Sequence, residues 1–317
     1  GAQIIDVNMD EGMIDGDFIG LDPRSVNNII NKGGTMLKSA RSMEFRTKEG
    51  RKKAYDNLVE AEIDAFIVVG GDGSFTGAMI FNQEYNFPVI GIPATIDNDI
   101  FGTSHTIGYD TALNTVVDVI DKIRDTASSH NRLFFIEVMG RDAGHIAVSA
   151  GIAGGADVIL IPEIKYSIKG IIKKLNSMKK NDIQHSLIIV AEAVKREDGK
   201  TVLHKYIDGE QRLGGIGDYI AQELMKKTDV ECRVTTLGHV QRGAPPTASD
   251  RILASAFGVY AVDLLNQEKF DRMVAWKDRK VIDVPIDEGI DTYKNVERKD
   301  SLVETALSLG IYIGDKI

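Results

Sequence analysis

One repeated pattern constrains this chain more than any other. A short run rich in β-branched residues ends at glycine, and a longer stretch with apolar residues at helical spacing follows. Phe66-Ile67-Val68-Val69 runs into Gly70-Gly71, and Leu133 to Val138 leads to Gly140. Candidate strands cover residues 65–69, 87–92, 133–138, 158–161, 187–190 and 233–237. Runs that are apolar throughout, without alternation, suit strands buried on both faces, as in a parallel sheet covered by helices on each side. Leu113, Val116, Val117, Ile120 and Ile123 share one helical face between the second and third runs, which predicts a βαβ crossover. The fold class expected is therefore α/β, with mainly parallel sheets. Such sheets collect ligands beyond the carboxyl ends of their strands, and glycines 70, 71, 140, 154, 155 and 238 stand there. Met273 to Ala275 and Val281 to Val284, parted by Lys277-Asp278-Arg279-Lys280, predict a late antiparallel hairpin. Ser301 to Leu309 predicts a closing helix, and the glycine-rich, charged stretch 199–217 predicts a surface insertion.

With 317 residues, 43% of them apolar, the chain holds more core than one compact layer needs, so two domains are expected. A net charge of -9 gives no general attraction to nucleic acid or anionic membranes, so any anion site must be a local group of cations. No uninterrupted apolar run approaches about 18 residues, and no basic segment leads into an apolar one at the start. A soluble, cytoplasmic protein is expected. The single cysteine, Cys232, excludes an intrachain disulfide; on a strand beside Glu231 and Arg233 it is expected to be an inert, half-buried thiol.

Gly70-Gly71-Asp72-Gly73-Ser74 lies between a strand and a helical stretch, where backbone N–H groups and a helix N-terminus converge. That arrangement cradles phosphate, and it is equally a plain tight turn. No Gly-Lys-Ser/Thr follows, so it is not the P-loop. An aspartate inside the turn would repel phosphate unless Mg²⁺ lay between them. Thr95-Ile96-Asp97-Asn98-Asp99 follows the next strand. It reads either as a self-capping Asx turn or as a pair of carboxylates that divide the work of phosphoryl transfer, one as base and one as metal or base support. Arg132, Arg141, Arg233, His239 and Arg242 each stand beside a strand end or a glycine. Singly each is an ordinary surface cation; together they suit a sugar-phosphate pocket, because guanidinium forks match phosphate oxygens. Glu192, at the end of another strand, suits sugar hydroxyls or plain solvent.

Taken together, Gly70-Gly71-Asp72-Gly73-Ser74, Pro93-Ala94-Thr95-Ile96-Asp97-Asn98-Asp99, Glu137-Val138-Met139-Gly140-Arg141 and Leu237-Gly238-His239-Val240-Gln241-Arg242-Gly243 resemble the phosphofructokinase family, in its bacterial, ATP-using form. The likeness runs from about Gly16 to about Pro285, with the four motifs in family order. It implies two Rossmann-like, three-layer domains with the active site in the cleft between them. Residues 1–108 with 241–290 would form the larger, ATP-binding domain, and 109–240 with 291–317 the smaller, fructose 6-phosphate-binding one. It further implies a cytoplasmic, glycolytic, allosteric kinase that moves the γ-phosphate of ATP to the 1-hydroxyl of fructose 6-phosphate, with Mg²⁺ as cofactor.

By the same resemblance Asp97 is the base, Asp72 a Mg²⁺ ligand, and Asp99 a support of both metal and base, while Thr95 and Arg141 surround the transferred phosphoryl group. Met139, Gly140, Glu192, His239 and Arg242 would contact the sugar phosphate from one subunit, and Arg132 and Arg233 from a neighbour, which implies a homotetramer. Arg41, Gly71, Asp72, Gly73, Ser74 and Gly77 match the nucleotide side. Arg124 matches an effector-phosphate ligand, Asp157 stands where a glutamate would hold effector Mg²⁺, and Lys179 and Lys180 echo a basic pair.

Pyrophosphate-using members carry Asp where Gly73 stands and Lys where Ala94 stands, so ATP is the expected donor. The sequence also departs from the family. The opening strand and its Gly-Gly-Asp-x-Pro-Gly-x-Asn turn are not in it, Asp10 and Glu11 replace an aromatic position beside adenine, and Ala244 replaces a glycine. A pyrophosphate enzyme and a catalytically silent regulatory subunit are the alternatives; a diacylglycerol or NAD kinase would share the glycine-aspartate turn but leaves Arg132, Arg233 and Arg242 without a role.

Overall fold

Two larger sheets, each backed by helices, organise the computed structural model, which describes residues 4–7, 12–37, 42–127, 132–181, 185–205 and 211–314. By internal contacts the chain divides into unit 1, Gly1–Thr95, Ile100–Gly108 and Pro245–Tyr293, and unit 2, Ile96–Asp99, Tyr109–Ala244 and Lys294–Ile317. The division expected from the sequence kept 96–99 with the first domain. Here Ile96 packs against the core of unit 2 and takes its neighbours with it.

In unit 1, β1 (Ile4–Val7), the short α1 (Gly12–Asp15) and β2 (Phe18–Leu21) form an antiparallel pair with its connecting turn. The helix α2 (Lys48–Glu60) starts where Thr47 accepts the Gly50 N–H at 3.0 Å. Such a cap contributes about 1 kcal/mol. Then β3 (Phe66–Gly70), α3 (Asp72–Tyr85) and β4 (Val89–Thr95) make a βαβ unit whose parallel strands set Gly70 level with Pro93. After a detour into unit 2, β5 (Ile107–Gly108) returns to pair with the end of β4.

Unit 2 continues with α4 (Tyr109–Ala127), β6 (Leu133–Val138), α5 (His145–Ala153), β7 (Val158–Leu160), α6 (Ile168–Lys179) and β8 (Ser186–Ala191). A small hairpin, β9 (Leu203–Lys205) with β10 (Gln211–Leu213), precedes α7 (Ile216–Met225), β11 (Cys232–Thr236) and a 3₁₀ turn at Gly238–Arg242. The chain crosses back for α8 (Ala248–Asn266), β12 (Arg272–Lys277), β13 (Lys280–Pro285) and α9 (Glu288–Asp291), and ends the described residues in unit 2 with α10 (Ser301–Ser308).

Alternation along the unit 1 strands builds its three layers. Val68, Val89 and Met273 meet Phe75 of α3 on one face, while Ile90, Ile92 and Val274 meet Leu253, Phe257, Ala261 and Leu264 of α8 on the other. The order β13-β12-β4-β3 is parallel except for the β12–β13 hairpin. Its turn residues Asp278 and Arg279 have φ of 50° and 64°, as a type I′ turn requires. In unit 2 the order is β11-β6-β8-β7, all parallel, and every residue of β8 is buried, which accounts for its apolar run from Leu187 to Ala191.

All of the expected strands are present, β4 running on through Thr95. The surface insertion needs correction at its far end. Gly215 and Gly217 are buried, and their N–H groups donate to the two oxygens of Glu137 at 2.8 Å each. A carboxylate in the middle of a buried strand demands such donors, so it draws the start of α7 inward. Among the described residues no helix is long and apolar enough to cross a membrane.

Candidate active site

In unit 1 the glycine turn leads directly into α3, with Gly71 as its N-cap and Asp72 as its first residue. A Cβ at Gly70 would stand 2.5 Å from the Ser74 hydroxyl, so the close return of the chain requires glycine there. One built at Gly71 would stand 3.6 Å from Thr95 Cβ, which places the end of β4 against the turn. At Gly73 nothing lies within 4 Å, so this side of the helix N-terminus is open. Gly77, one turn on, faces Phe45. The Asp72 carboxylate accepts the Tyr293 hydroxyl at 2.8 Å, and Thr76 donates to its carbonyl at 2.8 Å.

In unit 2 the register brings together a second group of the expected residues. Val138 pairs with Ala191 and Glu137 with Thr236, so Met139, Glu192 and Leu237 leave three neighbouring strands at one level. Glu192 N–H donates to Val138 O at 2.9 Å and Leu237 N–H to Glu137 O at 3.0 Å, continuing the ladder past the strands. Buried Gln241 accepts the Met139 N–H at 3.3 Å and donates to Gly238 O at 3.1 Å, joining two of the expected substrate loops. Glu192 accepts the Arg141 N–H at 3.1 Å. Burial pushes the Glu192 carboxyl up to about 7; the Arg141 N–H opposes this, and the Asp97 charge adds to it. The Asp97 charge is thus felt at Glu192, within the same unit. Asp97, Asn98 and Asp99 are all buried.

Asn98 and Arg141 hold φ of 54° and 51°, in the left-handed region that non-glycine residues enter at a cost. Both lie in loops expected to be functional. Gly140, just before Arg141, has φ of 140°, and a Cβ there would meet Ala143 O at 2.7 Å.

The five cations do not form one cluster. Arg141, His239 and Arg242 are exposed beyond the carboxyl ends of β6 and β11, whereas Arg132 and Arg233 sit at the amino ends of the same strands. There Glu231 takes both, Arg132 Nε at 2.7 Å and Arg233 by an ion pair. A parallel sheet carries its two strand ends apart, so these two arginines do not stand along the carboxyl edge with the other three.

Arg41 lies outside the described residues. At the expected effector position, Arg124 donates to Gly154 O and, at 2.7 Å, to Gly155 O, while Asp157 accepts from Ser186 Oγ and Leu187 N–H at 3.1 and 2.9 Å. Lys179 ends α6 and Lys180 caps it. Cys232 begins β11, and burial pushes its thiol up to about 11, which keeps it inert. Sequence reasoning missed Tyr293 and Glu231 as partners of site residues; neither has a local pattern that would mark it.

The Asp72 carboxylate, at the start of α3, is a hard oxygen donor of the kind Mg²⁺ takes, and no group of three or more His, Cys, Asp or Glu side chains among the described residues forms a complete metal cage. A single such donor suits an ion that keeps waters and substrate phosphates as its remaining ligands.

A glycine turn opening a helix at the carboxyl end of β3, an acidic turn after β4, and arginine and glutamate beyond β6 and β8 suit an α/β nucleotide-dependent phosphotransferase. The Phosphofructokinase family model matches residues 8–265, and the chain belongs to that family. It is 46% identical over 298 residues to the ATP-dependent 6-phosphofructokinase of Bacillus subtilis, covering 94% of this chain and 87% of that one. It is 45% identical over 298 residues to ATP-dependent 6-phosphofructokinase 1 of a Nostoc species, covering 92% and 83%. The phosphofructokinase structure from Saccharomyces cerevisiae superposes with a TM-score of 0.80 at 32% identity, over 89% of this chain and 40% of the yeast chain. A pyrophosphate-dependent phosphofructokinase from Nitrosospira multiformis superposes at 0.81 with 21% identity, over 99% and 84%, a likeness of fold.

Proposed function

We propose that this chain transfers the γ-phosphate of ATP to the 1-hydroxyl of fructose 6-phosphate, giving fructose 1,6-bisphosphate in cytoplasmic glycolysis. The observation that carries this reading is the buried Asp97 turn held beside Glu192 and the Arg141 loop within one unit. Unit 1 carries the donor groups, Gly71, Asp72, Gly73, Ser74 and Gly77, and unit 2 the acceptor groups. Asp97 takes the proton of the attacking hydroxyl, Thr95 and Arg141 hold the phosphoryl group as charge moves onto it, and Met139, Gly140, Glu192, His239 and Arg242 orient the sugar phosphate. Asp72 and Asp99 would hold Mg²⁺, which would supply positive charge to the nucleotide phosphates.

ATP is the donor because Gly73 leaves open space where a side chain would block the α-phosphate, and Ala94 brings no ammonium to hold pyrophosphate. Arg132 and Arg233 serve a neighbouring copy. The six residues of β6 span about 20 Å at ~3.3 Å per residue, further than an arginine side chain reaches across to the carboxyl edge. A homotetramer with shared sites follows, with Arg124 and Asp157 as effector ligands. A coupled assay with each donor tests the reading: Mg-ATP should support turnover and Mg-pyrophosphate should not. Faster turnover with pyrophosphate would overturn the donor assignment and leave the sugar site standing.

A further inference from the structure

The chain enters unit 2 for the last time at Lys294, and the strap Lys294–Val296 meets two of the loops assigned to catalysis. Lys294 N–H donates to Asp99 O at 2.9 Å. On its other side, His145 Nε2 lies 2.6 Å from Lys294 O. A carbonyl only accepts, so Nε2 carries the proton, and burial favours that neutral ring by lowering its pKa. Val296, itself buried in the core, donates its N–H to Glu163 Oε1 at 3.0 Å. The same oxygen accepts the Gly144 N–H, the cap of α5, at 2.9 Å. Gly144 follows the Met139–Arg141 loop, which Ala143 N–H closes onto Gly140 O at 3.1 Å.

Glu163 plays no part in the chemistry assigned above. Its second oxygen is nonetheless buried without a hydrogen-bond partner, 2.9 Å from where a Cβ on Gly144 would stand. A half-satisfied buried carboxylate costs stability, and filling the space with hydrocarbon would avoid that cost. Its retention needs a use beyond packing.

We propose that Glu163 is a positioning residue for phosphoryl transfer: it clamps the Lys294–Val296 strap to the start of α5, with His145 as second pin, and so holds the Asp97–Asp99 turn and the Met139–Arg141 loop in one frame. This rests on the roles assigned above to Asp97 and to residues 139–141. The contacts run in series, from Asp99 to Lys294, from Lys294 to His145, and through Val296 to Glu163 and Gly144.

The test is steady-state kinetics on the full chain, varying ATP and fructose 6-phosphate separately, for Glu163→Leu, Glu163→Gln and His145→Ala. Small displacements of reacting groups cost up to about 10²-fold, so Glu163→Leu should lose roughly tenfold or more in kcat and raise the fructose 6-phosphate KM several-fold. The ATP KM should change less than the fructose 6-phosphate KM, because Gly71, Asp72, Gly73, Ser74 and Gly77 lie in unit 1. Glu163→Gln should recover most of the loss, since one amide oxygen can accept both N–H groups. His145→Ala should show the same pattern more weakly, which keeps the test open if Glu163→Leu does not fold. Lower thermal stability with unchanged kcat and fructose 6-phosphate KM in His145→Ala or Glu163→Leu would reduce the clamp to a structural contact. So would equal rises in both KM values, or a glutamine variant as impaired as the leucine one. Asp97→Ser separates the two levels: if it turns over normally, the underlying site assignment fails; if it is dead while Glu163→Leu is normal, the clamp alone fails.

Discussion

A base that removes a hydroxyl proton is needed in the transition state far more than in the bound complex. Asp97→Ser should therefore lose on the order of 10² to 10⁴ in kcat and keep nearly the same affinity for fructose 6-phosphate. A raised KM at unchanged kcat would remove Asp97 from that role. Glu192 gives a different signal because burial lifts its carboxyl from 4.5 to about 7. Sugar hydroxyls donate to its ionised form, so fructose 6-phosphate affinity should rise as pH climbs through 7, and Glu192→Gln should flatten that rise. The substrate phosphate titrates in both proteins and cancels in the comparison. For folding the sign is opposite. A raised carboxyl stabilises the fold below about pH 4.5, and that contribution is lost as pH rises through 7. Glu192→Gln should therefore narrow the difference in melting temperature between about pH 5 and about pH 8; an unchanged difference would contradict the burial.

Among the elements, the turn from β3 into α3 separates function from stability. Gly73→Asp adds a side chain where nothing lies within 4 Å, near the N-terminus of a 14-residue helix, so the fold should tolerate or gain from it. ATP use should nonetheless collapse, because the carboxylate would occupy and repel the phosphate position. Melting temperature and the ATP KM, measured on the same sample, check both halves; normal ATP kinetics would mean the nucleotide does not use this turn. Elements of this kind are legible in the amino-acid sequence: β6 and β8 are largely apolar because both faces are covered, Glu137 and Ser186 being the polar exceptions, and the helical stripe from Leu113 to Ile123 marks α4. The hairpins β1–β2 and β9–β10 are not legible there, being only three or four residues per strand, too short to show a period. The four glycine and aspartate motifs mark the loops of the site but not what braces them. Tyr293 on Asp72 spans 221 positions and Glu231 on Arg132 spans 99, and nothing local in the sequence records such pairings.

At the scale of the molecule, the two edges of the unit 2 sheet make assembly testable. On the proposed assignment Arg233→Ala loses the arm offered to a neighbour and Asp97→Ala the base of its own site, so a mixed oligomer would contain one site that keeps both. Activity should return when the two inactive variants are refolded together. Mixed assemblies confirmed by native mass spectrometry that stay inactive would mean Arg233 acts within its own chain. The repeated crossings between units have a further consequence, for a chain leaving the ribosome. The sheet of unit 2 is complete once Thr236 has emerged, while β4 gains β5 only along Ala94 and Thr95 and must wait for β12, at Arg272–Lys277, to cover Ile90 and Gly91. Until then a nascent unit 1 presents the bare backbone edge of β4 around Ile90 and Gly91 to whatever passes. A chain stalled near Ala244 should therefore protect residues 133–236 from protease and recruit holding chaperones through β4.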